Sequence, residues 1–313
     1  MSFEIRVNKE DDGVKAKGFL KRNIDVSYQS LCKLLKNKRI TLNGKKIKKD
    51  AVLSEGDVIK VWSEGIGLRK KSKRFENSKD LGMDVVYESE DFFVLNKLPG
   101  VVVQGAQEKE ESLSLHLAYL KNYWDDKSDF EYFHVHRIDK QTSGALVIAK
   151  NKKALRDLNE LFRKRKVVKK YICLCDGLFE NESGEIDICL KRNPDGSNEK
   201  VSVSSDSDKD SKRTISRYRV LKEYEYEGED FSLVEVEIET GFMHQIRVHM
   251  KYLGHPIVGD LMYGNSYINE FVKAKRQLLH ASYLSFEYKG ESHEIEVSLT
   301  KDFEEFLGSI SVI

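Results

Sequence analysis

Apolar and polar positions follow two rhythms along this chain. Between residues 233 and 238, Val234, Val236 and Ile238 alternate with Glu235 and Glu237, the period-2 pattern of a strand with one buried face. Short apolar runs at 92–95, 146–149, 171–174 and 295–299 predict further strands. At 154–165, by contrast, Leu155, Leu158 and Phe162 recur at helical spacing. Helices are also predicted at 112–124, at 245–253 with Gly254 as C-terminal cap, and at 302–310. Strands and helices alternate without a regular βαβ repeat, so 83–313 predicts one α+β domain. Residues 193–213, rich in Ser and Asp, read as a flexible excursion between strands.

Residues 1–63 predict a separate small unit. Ser27 caps a predicted helix to about Lys38 whose Leu31, Leu34 and Leu35 share one face, while Lys33, Lys36, Lys38 and Arg39 crowd its end and exposed side. Asn43-Gly44 between apolar flanks is a hairpin signal, because both residues tolerate positive φ. Lys45 and Lys46 follow directly, and Glu55-Gly56-Asp57 then turns the chain into a strand at 58–62. Residues 64–82 are polar and without hydrophobic period, which predicts a basic linker. Its cluster Arg69, Lys70, Lys71, Lys73 and Arg74 is either a solubilising tether or an extension of a nucleic-acid surface.

Charge sharpens this division. The 313 residues carry 53 basic and 52 acidic side chains, a net +1 that argues against nucleic acid at face value. Residues 1–80, however, hold 21 basic and 11 acidic side chains, a net +10, and the remainder is −9. Ten of those basic residues fall between Lys21 and Lys49 against the single acid Asp25, a concentration suited to following a phosphate backbone. With 40% hydrophobic residues the chain is globular, and no apolar run is long enough to cross a membrane. The first residues, MSFEIRVNKEDD, lack a signal-peptide core, so a cytoplasmic protein without membrane contact is expected. Cys32, Cys173, Cys175 and Cys189 lack zinc or redox spacing and read as small buried hydrophobes.

Three stretches carry candidate chemistry. In His136-Arg137-Ile138-Asp139-Lys140-Gln141-Thr142-Ser143-Gly144, cations flank an aspartate and favour its ionised form, which suits a nucleophile or a base, although taken alone an aspartate at such a turn is more often a turn former. In the second, Gly241 ends a strand and a helix projects Arg247 one turn further on. His244 and His249 lie five apart with no carboxylate between them, which is not a zinc-protease pair, and no metal is expected. The third, Lys169-Lys170-Tyr171, offers a strand tyrosine that is either core or a stacking platform.

Taken together and in order, these stretches resemble the RluA family of pseudouridine synthases, with Lys97-Leu98-Pro99-Gly100 before them and, after them, the 259–264 string G-D-x-x-Y-G and Leu279-His280-Ala281. The helix, Asn-Gly hairpin and Gly-Asp turn of 1–63 resemble an S4 RNA-binding domain, which points to the RluC- and RluD-like branch. The resemblance implies a pseudouridine synthase fold with a mixed, mainly antiparallel central sheet behind a small S4-like α/β domain. It also implies isomerisation of uridines in large-subunit ribosomal RNA, or in its assembly intermediates, by a monomer that needs no cofactor. In that reaction the ribose C1′–N1 bond breaks, the base turns and C1′ rejoins at C5. By the same resemblance Asp139 is the catalytic carboxylate, as nucleophile or as base at C2′, and Arg247 pairs with it. Tyr171 stacks on a flipped-out base, Arg137 holds the flipped arrangement, and Lys33, Lys36, Lys38, Arg39, Lys45 and Lys46 bind RNA. Two other readings are an inactive RNA-binding or ribosome-assembly factor and a synthase acting on transfer RNA. One departure stands out: the family pattern T-G-R-x-H-Q-I-R has Phe242 here in place of its first arginine.

Overall fold

The computed structural model describes residues 2–24, 31, 34–37, 39–47, 51–62, 78–105, 111–193 and 200–313. Two units emerge, Met1–Asn77 and Ser78–Ile313.

In the first unit, β1 (Ser2–Arg6), α1 (Ala16–Asn23), β2 (Ile40–Leu42), β3 (Lys45–Lys46) and β4 (Val58–Trp62) build an antiparallel sheet of order β1-β4-β2-β3. The Asn43-Gly44 hairpin joins β2 to β3 with φ of 50° and 75°, as its type requires. Asn43 is also tied down by its side chain, which accepts from the Val58 amide at 2.8 Å and donates to Asp57 at 2.7 Å. Phe19, Leu20, Ile24, Leu31, Ile40, Ile59 and Val61 form the core. Lys36, Arg39, Lys45 and Lys46 are exposed. Residues 31 and 34–36 are helical and residue 37 is a turn; the remaining residues of the expected 27–38 helix, with Cys32, Lys33 and Lys38, and the basic cluster at 69–74 lie outside the described residues.

The second unit runs β5 (Val85–Glu88), β6 (Phe92–Lys97), α2 (Leu113–Tyr123), β7 (Phe133–His134), β8 (Ser143–Ala149), α3 (Lys152–Arg163), β9 (Val167–Asp176), β10 (Ser183–Arg192), β11 (Val201–Ser204), β12 (Lys212–Tyr226), β13 (Glu229–Ile238), α4 (Gln245–Tyr252), α5 (Ser266–Phe271), β14 (Leu279–Tyr288), β15 (Glu291–Glu296), α6 (Lys301–Gly308) and β16 (Ser311–Val312). The twelve strands form one sheet of order β11-β10-β12-β13-β9-β14-β8-β6-β5, with β15, β16 and β7 pairing off this path to β14, β12 and β8. All of its described pairings are antiparallel except β14 with β8, so the sheet is mixed and mainly antiparallel, as expected. Every residue of β8 is buried, which its unbroken Ala-Leu-Val-Ile-Ala run requires. Gly144 (φ 107°) permits the β8–β14 contact, since a Cβ there would lie 2.2 Å from the Ala281 carbonyl oxygen. Among the described residues no helix is long and apolar enough to cross a membrane. Cys173, Cys175 and Cys189 are buried and unpaired by disulfides.

Two expectations need correction. The 193–213 tract is not one flexible excursion, because β11 pairs with β10 and β12 already begins at Lys212. The strand expected at 295–299 lies earlier, at Glu291–Glu296, as the partner of β14. No strand was expected at β14, for a physical reason. A bulge between Ala281 and Tyr283 switches its inward side chains from Leu279 and Ala281 to Leu284, Phe286 and Tyr288, so the alternation loses phase midway.

Candidate active site: the Asp139 cavity

The segment between β7 and β8 carries Asp139, and its backbone is held at three successive carbonyls. The Thr142 amide donates to Asp139 O at 3.1 Å. Lys140 O accepts from the Gly100 amide at 2.8 Å and from Lys97 Nζ at 3.0 Å. Gln141 O accepts from Arg276 Nη1 at 3.3 Å. Lys97 is fully buried and also donates to Leu98 O and Val101 O, so each ammonium proton finds an acceptor. Burial first, and Arg276 second, push its pKa down to about 7 against the opposing charge of Asp139. The Thr142 hydroxyl accepts from Gln277 Nε2 at 2.8 Å, and Ser143 Oγ bonds His280 Nδ1 at 2.9 Å. Asp139 thus protrudes from a loop with little freedom.

Helix α4 faces it. Gln245 fixes the turn before the helix by satisfying all its polar capacity: Oε1 accepts from Thr240 Oγ1 and the Phe242 amide, and Nε2 donates to Ile215 O and Ser216 Oγ. Two residues on, Arg247 makes a two-pronged pair with Asp260, Nε to Oδ2 at 2.6 Å and Nη2 to Oδ1 at 2.8 Å. Its remaining Nη1 reaches Asp139 Oδ2 at 3.2 Å. The Asp260 side chain is 0% exposed, that of Arg247 8% and that of Asp139 24%. Burial opposes charge on both Arg247 and Asp260, yet their mutual pairing wins. Asp139 further raises the arginine, while the Met262 and Tyr263 amides further lower the aspartate. The guanidinium also sits 4.9 Å from the centre of the Tyr263 ring.

Asp139, Arg137, Tyr171 and Arg247 line one cavity of about 90 Å³, together with Phe242, His244 and the apolar Ile138, Ile238, Ile246 and Leu279. Tyr171 lies mid-sheet on β9, between Val236 of β13 and Ala281 of β14. Burial, then the nearby Asp139 charge, push its phenol pKa up, so it is neutral at physiological pH. Arg137 is exposed at the mouth, and Phe242, where the family pattern has an arginine, is half-buried at the same cavity. Lys36, Arg39, Lys45 and Lys46 belong to the other unit. Asp260, His244, Tyr263, Gln245 and Lys97 received no role from the sequence, although all stand in the strings quoted for the resemblance. Among the described residues no group of three or more His, Cys, Asp or Glu is placed to hold a metal.

A paired carboxylate on a pinned loop, beside a buried tyrosine and an exposed arginine, gives the cavity the groups that acid–base or nucleophilic chemistry requires. The chain belongs to the RNA pseudouridylate synthase family, whose model matches residues 91–252. It is 30% identical over 98% of both chains to the uncharacterized RNA pseudouridine synthase YlyB of Bacillus subtilis (strain 168). It is 28% identical to the ribosomal large subunit pseudouridine synthase C of Pasteurella multocida (strain Pm70), over 98% of this chain and 93% of the relative. Among solved structures it is similar to human RNA pseudouridylate synthase domain containing 1, with 28% identity and a TM-score of 0.62 over 74% of this chain and 89% of that one. The protein is an RNA pseudouridine synthase, as the resemblance implied.

Proposed function

We propose that this synthase isomerises specific uridines of large-subunit ribosomal RNA, with Asp139 as the reacting carboxylate. The observation that carries the reading is the Asp139–Arg247–Asp260 array, whose Asp139 and Arg247 line the same cavity as Tyr171. A carboxylate that attacks the nucleotide and one that removes the C2′ proton both act as the anion, and the Arg247 guanidinium stabilises that anion. A target base within folded RNA must be extruded to reach it, at a cost of a few kcal/mol. Stacking on Tyr171 returns about 1–3 kcal/mol of this, and Arg137 at the mouth holds the flipped arrangement. A base seated in the cavity covers the partly exposed Asp139 and displaces water from it, which favours rejoining C1′ to C5 over hydrolytic loss of uracil. The S4-like first unit supplies phosphate contacts through Lys36, Arg39, Lys45 and Lys46, with Lys33 and Lys38 in the same set. The relatives named as large-subunit enzymes support the choice of ribosomal RNA.

Mapping pseudouridines in total RNA from cells with and without the protein tests the substrate. Sites lost from large-subunit ribosomal RNA support the reading, sites lost from transfer RNA replace the substrate, and no lost site favours a binding factor. Asp139→Asn is expected to lower turnover by about 10³-fold or more while RNA affinity stays within a few-fold. Persisting turnover in that variant would remove Asp139 from the chemistry.

A further inference from the structure

His244 stands directly before α4 at φ 56° and ψ 17°, in the left-handed region, and its side chain caps nothing. A β-carbon is disfavoured there, and such strain persists only where the surroundings impose it. Gln245 fixes that turn, and the imidazole is tied down as well. Nδ1 lies 2.9 Å from the Tyr263 hydroxyl, and that oxygen accepts the Val201 amide at 2.8 Å. Because that oxygen already accepts the amide, we assign the hydroxyl proton to Nδ1, which places the neutral imidazole's own proton on Nε2. Nε2 faces Asp139 Oδ2 at 3.8 Å. The contact is one short step from a hydrogen bond, on the same carboxylate oxygen that Arg247 touches.

We propose that His244 is a positioning residue for the reaction: its Nε2–H closes on Asp139 when a base fills the cavity, with Tyr263, anchored by β11, fixing the tautomer. Arg247 alone leaves the carboxylate free to turn about a single contact, because the other two guanidinium nitrogens are held by Asp260. A second donor of fixed direction removes that freedom. The donor must be neutral, since a second full charge would blunt the carboxylate. Burial, with Arg247 and Arg137 also facing the ring, lowers the imidazole pKa against the pull of Asp139 and Asp260. As pH falls through that lowered value the imidazolium forms, clamps Asp139 as an ion pair and slows the reaction.

The inference rests on Asp139 being the reacting group, so Asp139→Asn is run beside the His244 variants on an RNA that the wild-type protein modifies. His244→Ala is expected to lower kcat about 100-fold with KM within about two-fold. His244→Gln, whose amide can donate to the same oxygen, should recover most of that loss and move the acid limb of the pH–rate profile to lower pH. Tyr263→Phe should lower kcat in the wild-type background and add nothing to His244→Gln. Thermal melts on each variant establish that it is folded, and the Gln variant carries the test where Ala fails to fold. Equal kcat in wild-type and His244→Ala, an unmoved acid limb in His244→Gln, or full additivity with Tyr263→Phe would each overturn the proposal. If Asp139→Asn remains active, it is the reading of Asp139 that falls instead.

Discussion

Two regions of this molecule gather charge in opposite ways. Around Asp139, cations and anions meet in a largely buried array where all three Lys97 ammonium protons and three Arg247 nitrogens have named acceptors, and the parts were drawn from β6, the loop before β8, α4 and the segment after it. At the Asn43-Gly44 hairpin, Lys45 and Lys46 project into solvent from a two-residue edge strand. A buried pair is expensive to form and more expensive to break, whereas an exposed lysine is screened within about a Debye length and contributes little until a polyanion arrives. Loss of one group should therefore cost stability or turnover in the first region and only salt-dependent affinity in the second.

The strongest way to break this contrast lies in the two partners of Arg247. Asp260→Ala strands a buried guanidinium, and we expect a loss of about 3–5 kcal/mol, read as a melting temperature lower by roughly 10 °C. Asp139→Asn leaves the Asp260 pair whole and the side chain is partly open to water, so stability should change by less than about 1 kcal/mol. Equal melting temperatures for the two variants would show that Asp260 does not organise the site.

Lys97→Met comes next. It fits the volume but abandons the carbonyls of Leu98 and Val101, while Lys140 O keeps the Gly100 amide. The expected cost is about 2–4 kcal/mol near neutral pH, with turnover at permissive temperature reduced less than about ten-fold. The sign of its pH dependence is fixed. Folded Lys97 titrates near 7 and an unfolded lysine near about 10.4, so between those values the unfolded chain binds more protons and wild-type stability rises with pH. The methionine variant should lack that rise, and parallel stability curves across this window would refute the assignment.

What could be read from the residues depended on whether they acted locally. The α+β class, helices 152–163 and 245–252 and the Asn-Gly hairpin follow from short-range pattern, and each appears within a few residues of its expected place. Strand β14 was illegible because its bulge breaks the alternation that reveals strands. Asp139, Tyr171, Arg137 and Arg247 were singled out because they stand in specific strings, and the structure gathers them around one cavity. Their supports were not assigned. Asp260 becomes a partner of Arg247 only through a return of the chain 13 residues later, and Tyr263 is fixed by an amide from β11, in a tract that looked like loop. Lys97 illustrates the limit best: a lysine after a strand reads as solvated, and only the fold puts three carbonyls around its ammonium.

The smallest expected effect tests the exposed region. Lysines on an edge strand have two physical uses, to meet phosphate and to deter pairing with another chain's edge, and the hairpin geometry suits both. Replacing Lys45 and Lys46 together with glutamine separates them. If both meet phosphate, the slope of log affinity against log salt should become shallower by about 1.4–1.8, with kcat at saturating RNA and the melting temperature unchanged. If they only guard the edge, the slope should stay as it was and the variant should self-associate, which light scattering detects. The first outcome would assign RNA affinity to the small unit and leave chemistry to the buried array; the second would leave the +10 charge of residues 1–80 to act through its other lysines and arginines.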